Sequence, residues 1–469
     1  MKLLLLALFL LALSACGRTT EEPSQAPHPP TIADSPTPPI YTPQPTPVPP
    51  PKIPTPTPTR QIPAEPEYTP LIPRWAEGEP FQQEHFICDF NYLMHTLRIN
   101  FPLLGPAYRR HGIDINHLEY LTHQAITANN VTTPNGFSNI LASYFFSPFE
   151  GFGHLYQNWE RRMHLVLANI YRDSVDEEGN FIHLYSQRLY EIMRSPEAIR
   201  FYGYIEVDLG GYEGSMITPN NITTDILVEG EVAYLNIRRF NHYNMDHDRD
   251  IIFAFYEEIA GYNHLIIDLQ NNLGGFPSYF FDLIVSPNIA AALHSQSYEF
   301  FPAGRNNLIY ADAIIADEIA ANPEGISLYY SAAGFVSQNN MPYFNQEDLA
   351  MLHNVIVWHN RVYPAAQEKA FDGKLWVLVG PSTQSAAEVA AMFVSDTNFA
   401  TIVGQPTAGI MGAISAYVLL PNSGIIVRYD LGYMTDAYGR SFEEFGVQPD
   451  YFTRPGMNAL QTVLALINE

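Results

Sequence analysis

Residues 375–409, LWVLVGPSTQSAAEVAAMFVSDTNFATIVGQPTAG, constrain the fold more than any other stretch. An apolar run over 375–379 suits a buried strand, Gly380 and Pro381 interrupt it, and Ser385 opens an alanine-rich segment with Ala386, Val389 and Phe393 at helical spacing. Ser385 thus stands at a strand-to-helix junction. Free backbone N–H groups and the helix dipole there favour negative charge on a reacting carbonyl oxygen. The same residues also spell a capping box, Ser385-Ala386-Ala387-Glu388, in which Glu388 would reach back to the serine. On this stretch alone the plain cap is favoured, because any helix start recruits serine.

Upstream, residues 232–237 alternate as a strand, 248–260 carry Ile251, Ile252, Phe255 and Ile259 at helical spacing, and 265–269 form a second apolar strand. This is a βαβ unit of a largely parallel sheet. It runs into Asn271-Asn272-Leu273-Gly274-Gly275, where glycines at a strand end let backbone N–H groups face a ligand, although a simple turn is an equal reading. No G-x-G-x-x-G spacing follows, so this is no dinucleotide fingerprint. After the long Tyr- and Asn-rich insertion, about 286–371, the core resumes at Leu375. It continues with a strand at 400–403, a hairpin over 413–429 around Pro421-Asn422-Ser423-Gly424, and a final amphipathic helix carrying Leu460, Val463, Leu464 and Ile467.

Residues 86–146 have helical apolar spacing with breaks near Pro102, Pro106 and Pro134, and predict a small helical lobe. The lobe ends in Gly151-Phe152-Gly153-His154-Leu155, a tight loop that presents a histidine, one of 15 in the chain. Further helical pattern covers 159–168 and 184–193. The cluster around His242, Asp246 and Asp248 reads as a polar loop before a helix, since neither histidine there has ligand spacing on one face, and no metal or other cofactor is expected. Cys88, in an apolar run, is expected to be a buried structural thiol.

The N-terminus has its own organisation. Residues 1–15 combine one lysine, an apolar run and a small-residue end, as a secretory signal does. Leu13-Ser14-Ala15-Cys16 resembles the lipobox of bacterial lipoproteins, which implies lipidation of Cys16 and a membrane-anchored protein facing outward. Residues 17–80 hold more than half of the 38 prolines and lack the apolar material for a core, so they predict an extended tether. The expected organisation is therefore a signal and lipobox (1–16), a tether (17–80), a helical lobe (81–225) and an α/β core (226–469). A formal charge of −25 argues against nucleic acid as a partner.

Three stretches in this order, IIDLQNNLGG, TQSAAEVAAMFVSD with VGQPTAG, and EEFGVQPDYF, resemble the carboxyl-terminal processing (tail-specific) serine peptidases. The likeness covers roughly 231–469, and the helical lobe is similar to members lacking a PDZ domain. It implies a crotonase- and ClpP-like α/β core, hydrolysis of peptide bonds in a peptide or protein substrate, Ser385 as nucleophile, and an oxyanion hole from the Ala386 N–H and the Gly274–Gly275 backbone. Members with a Ser-Lys dyad place the lysine some two dozen residues after the serine, yet no lysine follows Lys374. The remaining branch, similar to the tricorn core peptidase, implies His154 as base and a glutamate just before the G-V-x-P-D turn as its orienter. Glu443 matches that place, with Glu444 beside it as the alternative. The expected function is an exported, lipid-anchored serine endopeptidase, and the alternative is a catalytically inactive peptide-binding lipoprotein of the same fold.

Overall fold

The computed structural model describes residues 75–158, 181–203, 217–412 and 414–469. The signal, Cys16, most of the tether and the helical pattern at 159–168 lie outside the described residues.

The N-terminal part is helical, with α1 (Gln83–Asn100), α2 (Leu104–His111), α3 (Ile115–Ala128) and α4 (Pro134–Ile140), the last continued by a π-helical turn, Leu141–Phe146. Local chemistry sets these boundaries. The Asp114 side chain accepts the Asn116 N–H to cap α3, and Thr133 caps α4 with Pro134 in its first turn. The apolar stripe of α1, including Phe86, Phe90, Leu93 and Leu97, is fully buried. Cys88 lies off that stripe, half-buried and outside any disulfide, which corrects the expectation of a buried thiol. A 3₁₀ turn, Phe152–His154, leads into β1 (Tyr156–Gln157), and α5 (Leu184–Met193) and α6 (Pro196–Tyr202) follow.

The central sheet begins with β2 (Ile222–Val228) and β3 (Val232–Ile237), then crosses through α7 (Met245–Glu258) to β4 (His264–Asp268). Strand β2 starts ahead of residue 226, where the sequence suggested the core begins. Beyond the short helix α8 (Pro277–Phe280), the insertion forms β5 (Leu293–Pro302), α9 (Arg305–Ala321), β6 (Ile326–Tyr329), α10 (Ala332–Gln338), α11 (Gln346–Leu349) and β7 (Leu352–Val362). The core resumes with β8 (Lys374–Val379), α12 (Ala386–Thr397), β9 (Thr401–Gly404), β10 (Ser415–Leu419), β11 (Ile426–Asp430), β12 (Tyr433–Thr435), α13 (Phe442–Phe445), β13 (Tyr451–Phe452) and α14 (Ala459–Ile467).

Six strands in the order β13-β9-β8-β4-β3-β2 form the main sheet, parallel except for the edge pair β2–β3. Its inner strands β4 and β8 are buried nearly throughout, as expected of parallel strands covered on both faces. The insertion builds an antiparallel sheet of order β12-β5-β7-β6, and a third sheet joins β1, β11 and β10. The fold is therefore mixed α/β with an N-terminal helical region. One apolar cluster packs one face of β4 and β8 against α12, a smaller one with Ile266, Trp376 and Leu378 packs the other face against α14, and another joins the N-terminal helices to the insertion and the β10–β11 hairpin. Among the described residues no helix is long and apolar enough to cross a membrane.

Candidate active site

Ser385 immediately precedes α12 but does not cap it. Its backbone has φ 54° and ψ −125°, its side chain makes no capping hydrogen bond, and its Oγ, though buried, has no hydrogen-bond partner among the described residues. A non-glycine residue in this region costs about 1–3 kcal/mol and persists only where surrounding bonds impose it. Here they do. Ser385 N–H donates to Ile410 O at 2.9 Å, its carbonyl accepts from Glu388 N–H at 2.8 Å, and Gln384 N–H donates to Asn272 O at 3.0 Å. Helix α12 is buried from Ala386 through Val394, so the strained residue is carried on a rigid support.

Glu388, read from sequence as half of a capping box, turns the other way. Its fully buried carboxyl accepts from Thr407 Oγ1 at 2.5 Å, Gly409 N–H at 2.7 Å and Ile410 N–H at 2.7 Å. It therefore holds the turn whose Ile410 carbonyl fixes Ser385. Burial pushes the Glu388 carboxyl up to about 7 against the pull of those donors and of Arg110. From α2, Arg110 donates to Glu443 O at 2.8 Å and Thr407 O at 3.1 Å, tying the helical region to the same turn.

Gly274 and Gly275 meet this junction. A Cβ on Gly274 would lie 2.7 Å from both Gln384 O and the Ser385 Cβ, and one on Gly275 would overlap Phe240 O, so only glycine fits at either place. The Gly274 N–H is already committed to Asn272 Oδ1 at 2.8 Å. Among the described residues the N–H groups of Gly275 and Ala386 make no hydrogen bond. These two are the donors open beside Ser385, which narrows the expected oxyanion set, and Gly274 serves for close approach.

His154 reaches the site through strand pairing. Strand β1 runs antiparallel to β11 with Tyr156 opposite Arg428, and continuing that register two residues sets His154 opposite Asp430. Gly153 is needed just before it, because a Cβ there would lie 2.6 Å from the Phe101 ring. His154 itself has φ 43° and is buried. Its Nδ1 lies 2.8 Å from Asp430 Oδ2, and the carboxylate lies tight against Gly412, two residues beyond Ile410. The chain thus connects His154 to Ser385 through Asp430 and the segment 410–412.

The carboxylate on His154 is therefore Asp430, where the sequence pointed to Glu443. Glu443 is also fully buried, but its Oε2 accepts from Ser441 Oγ at 3.1 Å and its Oε1 has no partner among the described residues. Burial, with repulsion from Asp430 and Glu388, raises its carboxyl far above the usual range. Glu444 turns outward to Arg109 at 2.8 Å, so of the two adjacent glutamates Glu443 is the inward one. Sequence reasoning missed Asp430, Asn272 and Arg110. The one visible signal was Arg428 and Asp430, two charges at i and i+2 in an otherwise apolar strand. Among the described residues no group of three acidic, histidine or cysteine side chains is placed to hold a metal.

This strand-to-helix serine, with open N–H donors and a buried His–carboxylate pair, has the parts of a serine hydrolase. Residues 231–453 match Peptidase family S41, a match consistent with the C-terminal processing peptidases that the sequence resembles. No curated protein matches the sequence. Among solved structures the chain is similar to a candidate peptidase from Parabacteroides merdae (14% identity, 83% of this chain and 97% of that one, TM-score 0.47). It is also similar to a lipoprotein from Streptococcus agalactiae (12% identity, 84% and 99%, TM-score 0.39) and to mature CPAF complexed with lactacystin (14% identity, 79% and 94%, TM-score 0.45).

Proposed function

We propose that the protein is a serine endopeptidase of the tail-specific type in which Ser385 is the nucleophile, His154 the general base and Asp430 the carboxylate that orients it. The observation that carries this proposal is the strained, buried Ser385 with an unbonded Oγ beside the open N–H groups of Gly275 and Ala386. In the reaction, Ser385 Oγ attacks the scissile carbonyl while His154 Nε2 takes its proton. The developing oxyanion is received by the Gly275 and Ala386 N–H groups, and His154 returns the proton to the leaving amine. Ser385 Oγ and His154 share no hydrogen bond without substrate. The proposal requires substrate binding to bring Ser385 Oγ and His154 Nε2 within hydrogen-bond reach, as unliganded sites commonly need.

Glu443, buried with its carboxyl raised and bonded to Ser441, supports the site without orienting the base. Export and anchoring through a lipid on Cys16 belong to the same proposal and rest on the lipobox, with residues 17–80 as the tether that carries the folded part away from the membrane. Covalent labelling by a fluorophosphonate tests the catalytic part, since only an activated serine reacts. The absence of a Ser385–His154 hydrogen bond favours a second reading, an inactive peptide-binding lipoprotein, and a protein that neither labels nor cleaves unstructured peptides would establish it.

A further inference from the structure

Behind His154 lies a chain of side chains that the catalytic proposal does not use. Arg428, fully buried on β11, donates from Nε to Ser415 Oγ at 2.9 Å, and Ser415, its neighbour across the β10–β11 hairpin, contacts Asp430 Oδ1 at 3.0 Å. The other Asp430 oxygen holds His154 Nδ1. A guanidinium can only donate, so Ser415 Oγ is an acceptor toward Arg428 and its own proton must point at Asp430. With Oδ1 accepting from Ser415, Asp430 presents Oδ2 to the ring as an acceptor. Nδ1 then carries the imidazole proton, which makes Nε2 the ring nitrogen with the basic lone pair that the catalytic proposal calls on.

The strands fix this polarity mechanically. Ser415 stands opposite Asp430 in the β10–β11 register, and Arg428 stands opposite Tyr156, two residues past His154. The Tyr156 hydroxyl accepts from Arg428 Nη1 at 2.8 Å, so the chain returns to the strand that carries the histidine.

Resting on the catalytic assignment above, we infer that Ser415, held by Arg428, is a positioning residue. Its hydroxyl fixes the rotamer of Asp430 and, through it, the tautomer and orientation of the His154 ring. Besides Ser415 and His154, Asp430 is faced by Arg428, Glu299, Glu443 and Tyr185. A substitution at Ser415 leaves all of these in place.

The test is the rate of inactivation by a fluorophosphonate, measured across pH on the full chain as wild type, Ser415→Ala and Ser415→Thr, with melting temperatures recorded alongside. Ser415→Ala is expected to lower the maximal inactivation rate roughly tenfold, the equivalent of one hydrogen bond to a charged group, with probe affinity unchanged within about twofold. Its acid limb should move up by roughly half a pH unit, since a carboxylate relieved of one donor holds the imidazolium more tightly. Ser415→Thr keeps the hydroxyl and should restore both the rate and the limb. Should Ser415→Ala not fold, Ser415→Cys, a weaker donor of similar shape, makes the same comparison. Wild-type rate and limb in Ser415→Ala would overturn the inference while leaving the peptidase standing. So would equal losses in the alanine and threonine variants with an unmoved limb, which mark a packing role only. A wild type that does not label overturns the peptidase proposal, and the role of Ser415 with it.

Discussion

His154 and Asp430 are 276 residues apart in the chain, yet Nδ1 and Oδ2 lie 2.8 Å apart in a buried pair. Asp430→Asn should keep the shape of this contact but let the amide select the wrong tautomer, lowering kcat by roughly 10²–10⁴. Glu443→Gln should cost less than about tenfold, because burial raises the Glu443 carboxyl and disfavours its charge, and it touches Ser441 rather than the ring. Steady-state kinetics on an unstructured peptide compare the two. A larger loss at Glu443 than at Asp430 would return the orienting role to Glu443.

Glu388 is the acceptor for two backbone N–H groups and one hydroxyl in a turn closed to solvent. Glu388→Ala should leave those donors unpaired and cost about 3–5 kcal/mol. Ser385 would lose its imposed geometry at the same time. Thermal melting and probe labelling should therefore fall together. A stable, fully labelled Glu388→Ala protein would show that the turn holds itself.

Several buried carboxyls titrate high, among them Glu299, pushed up to about 8 by burial with repulsion from Asp430 while its bond from Trp358 opposes the rise. A carboxyl raised in the folded state is protonated there while the unfolded chain has already ionised. Its stabilisation is complete below the unfolded value, near 4.5, and is lost as pH rises toward 8. Melting temperature should thus fall between pH 5.5 and 8, a range mostly above the point where the buried histidines would oppose it. Glu299→Gln should flatten that fall, raising the melting temperature by about 2–4 °C at pH 8 and little at pH 5.5. A variant whose slope across this range matches wild type would remove Glu299 from the explanation.

Cys16→Ser should abolish lipidation and leave the protein released or unprocessed, as read by detergent partition of membrane fractions. Unchanged detergent-dependent association would show that another segment does the anchoring.

The strand-to-helix serine was legible because periodicity marks both elements and the break between them. The βαβ unit and the final helix were legible for the same reason. The insertion was not, because β5 pairs on one side with β7 and on the other with β12, far along the chain, and the burial of such partly covered strands follows those distant partners rather than a clean local alternation. At Ser385 the capping box is a local pattern that tertiary bonds override: Ile410 takes the serine N–H, and Glu388 serves the turn instead. Asp430 was hidden because its partner is set by the register of β1 on β11. Only the two charges in an apolar strand hinted that this face meets something polar.

The central claim is that Ser385 is an activated nucleophile served by His154. Fluorophosphonate labelling of wild type, Ser385→Ala, His154→Ala and the double variant, each checked for folding, tests it most directly. Wild type should label. Ser385→Ala should not label at all, His154→Ala should label slower by several orders of magnitude, and the double variant should look like Ser385→Ala. Wild-type labelling in His154→Ala, with Ser385→Ala inert, would place the base elsewhere; labelling that survives Ser385→Ala would contradict the claim itself.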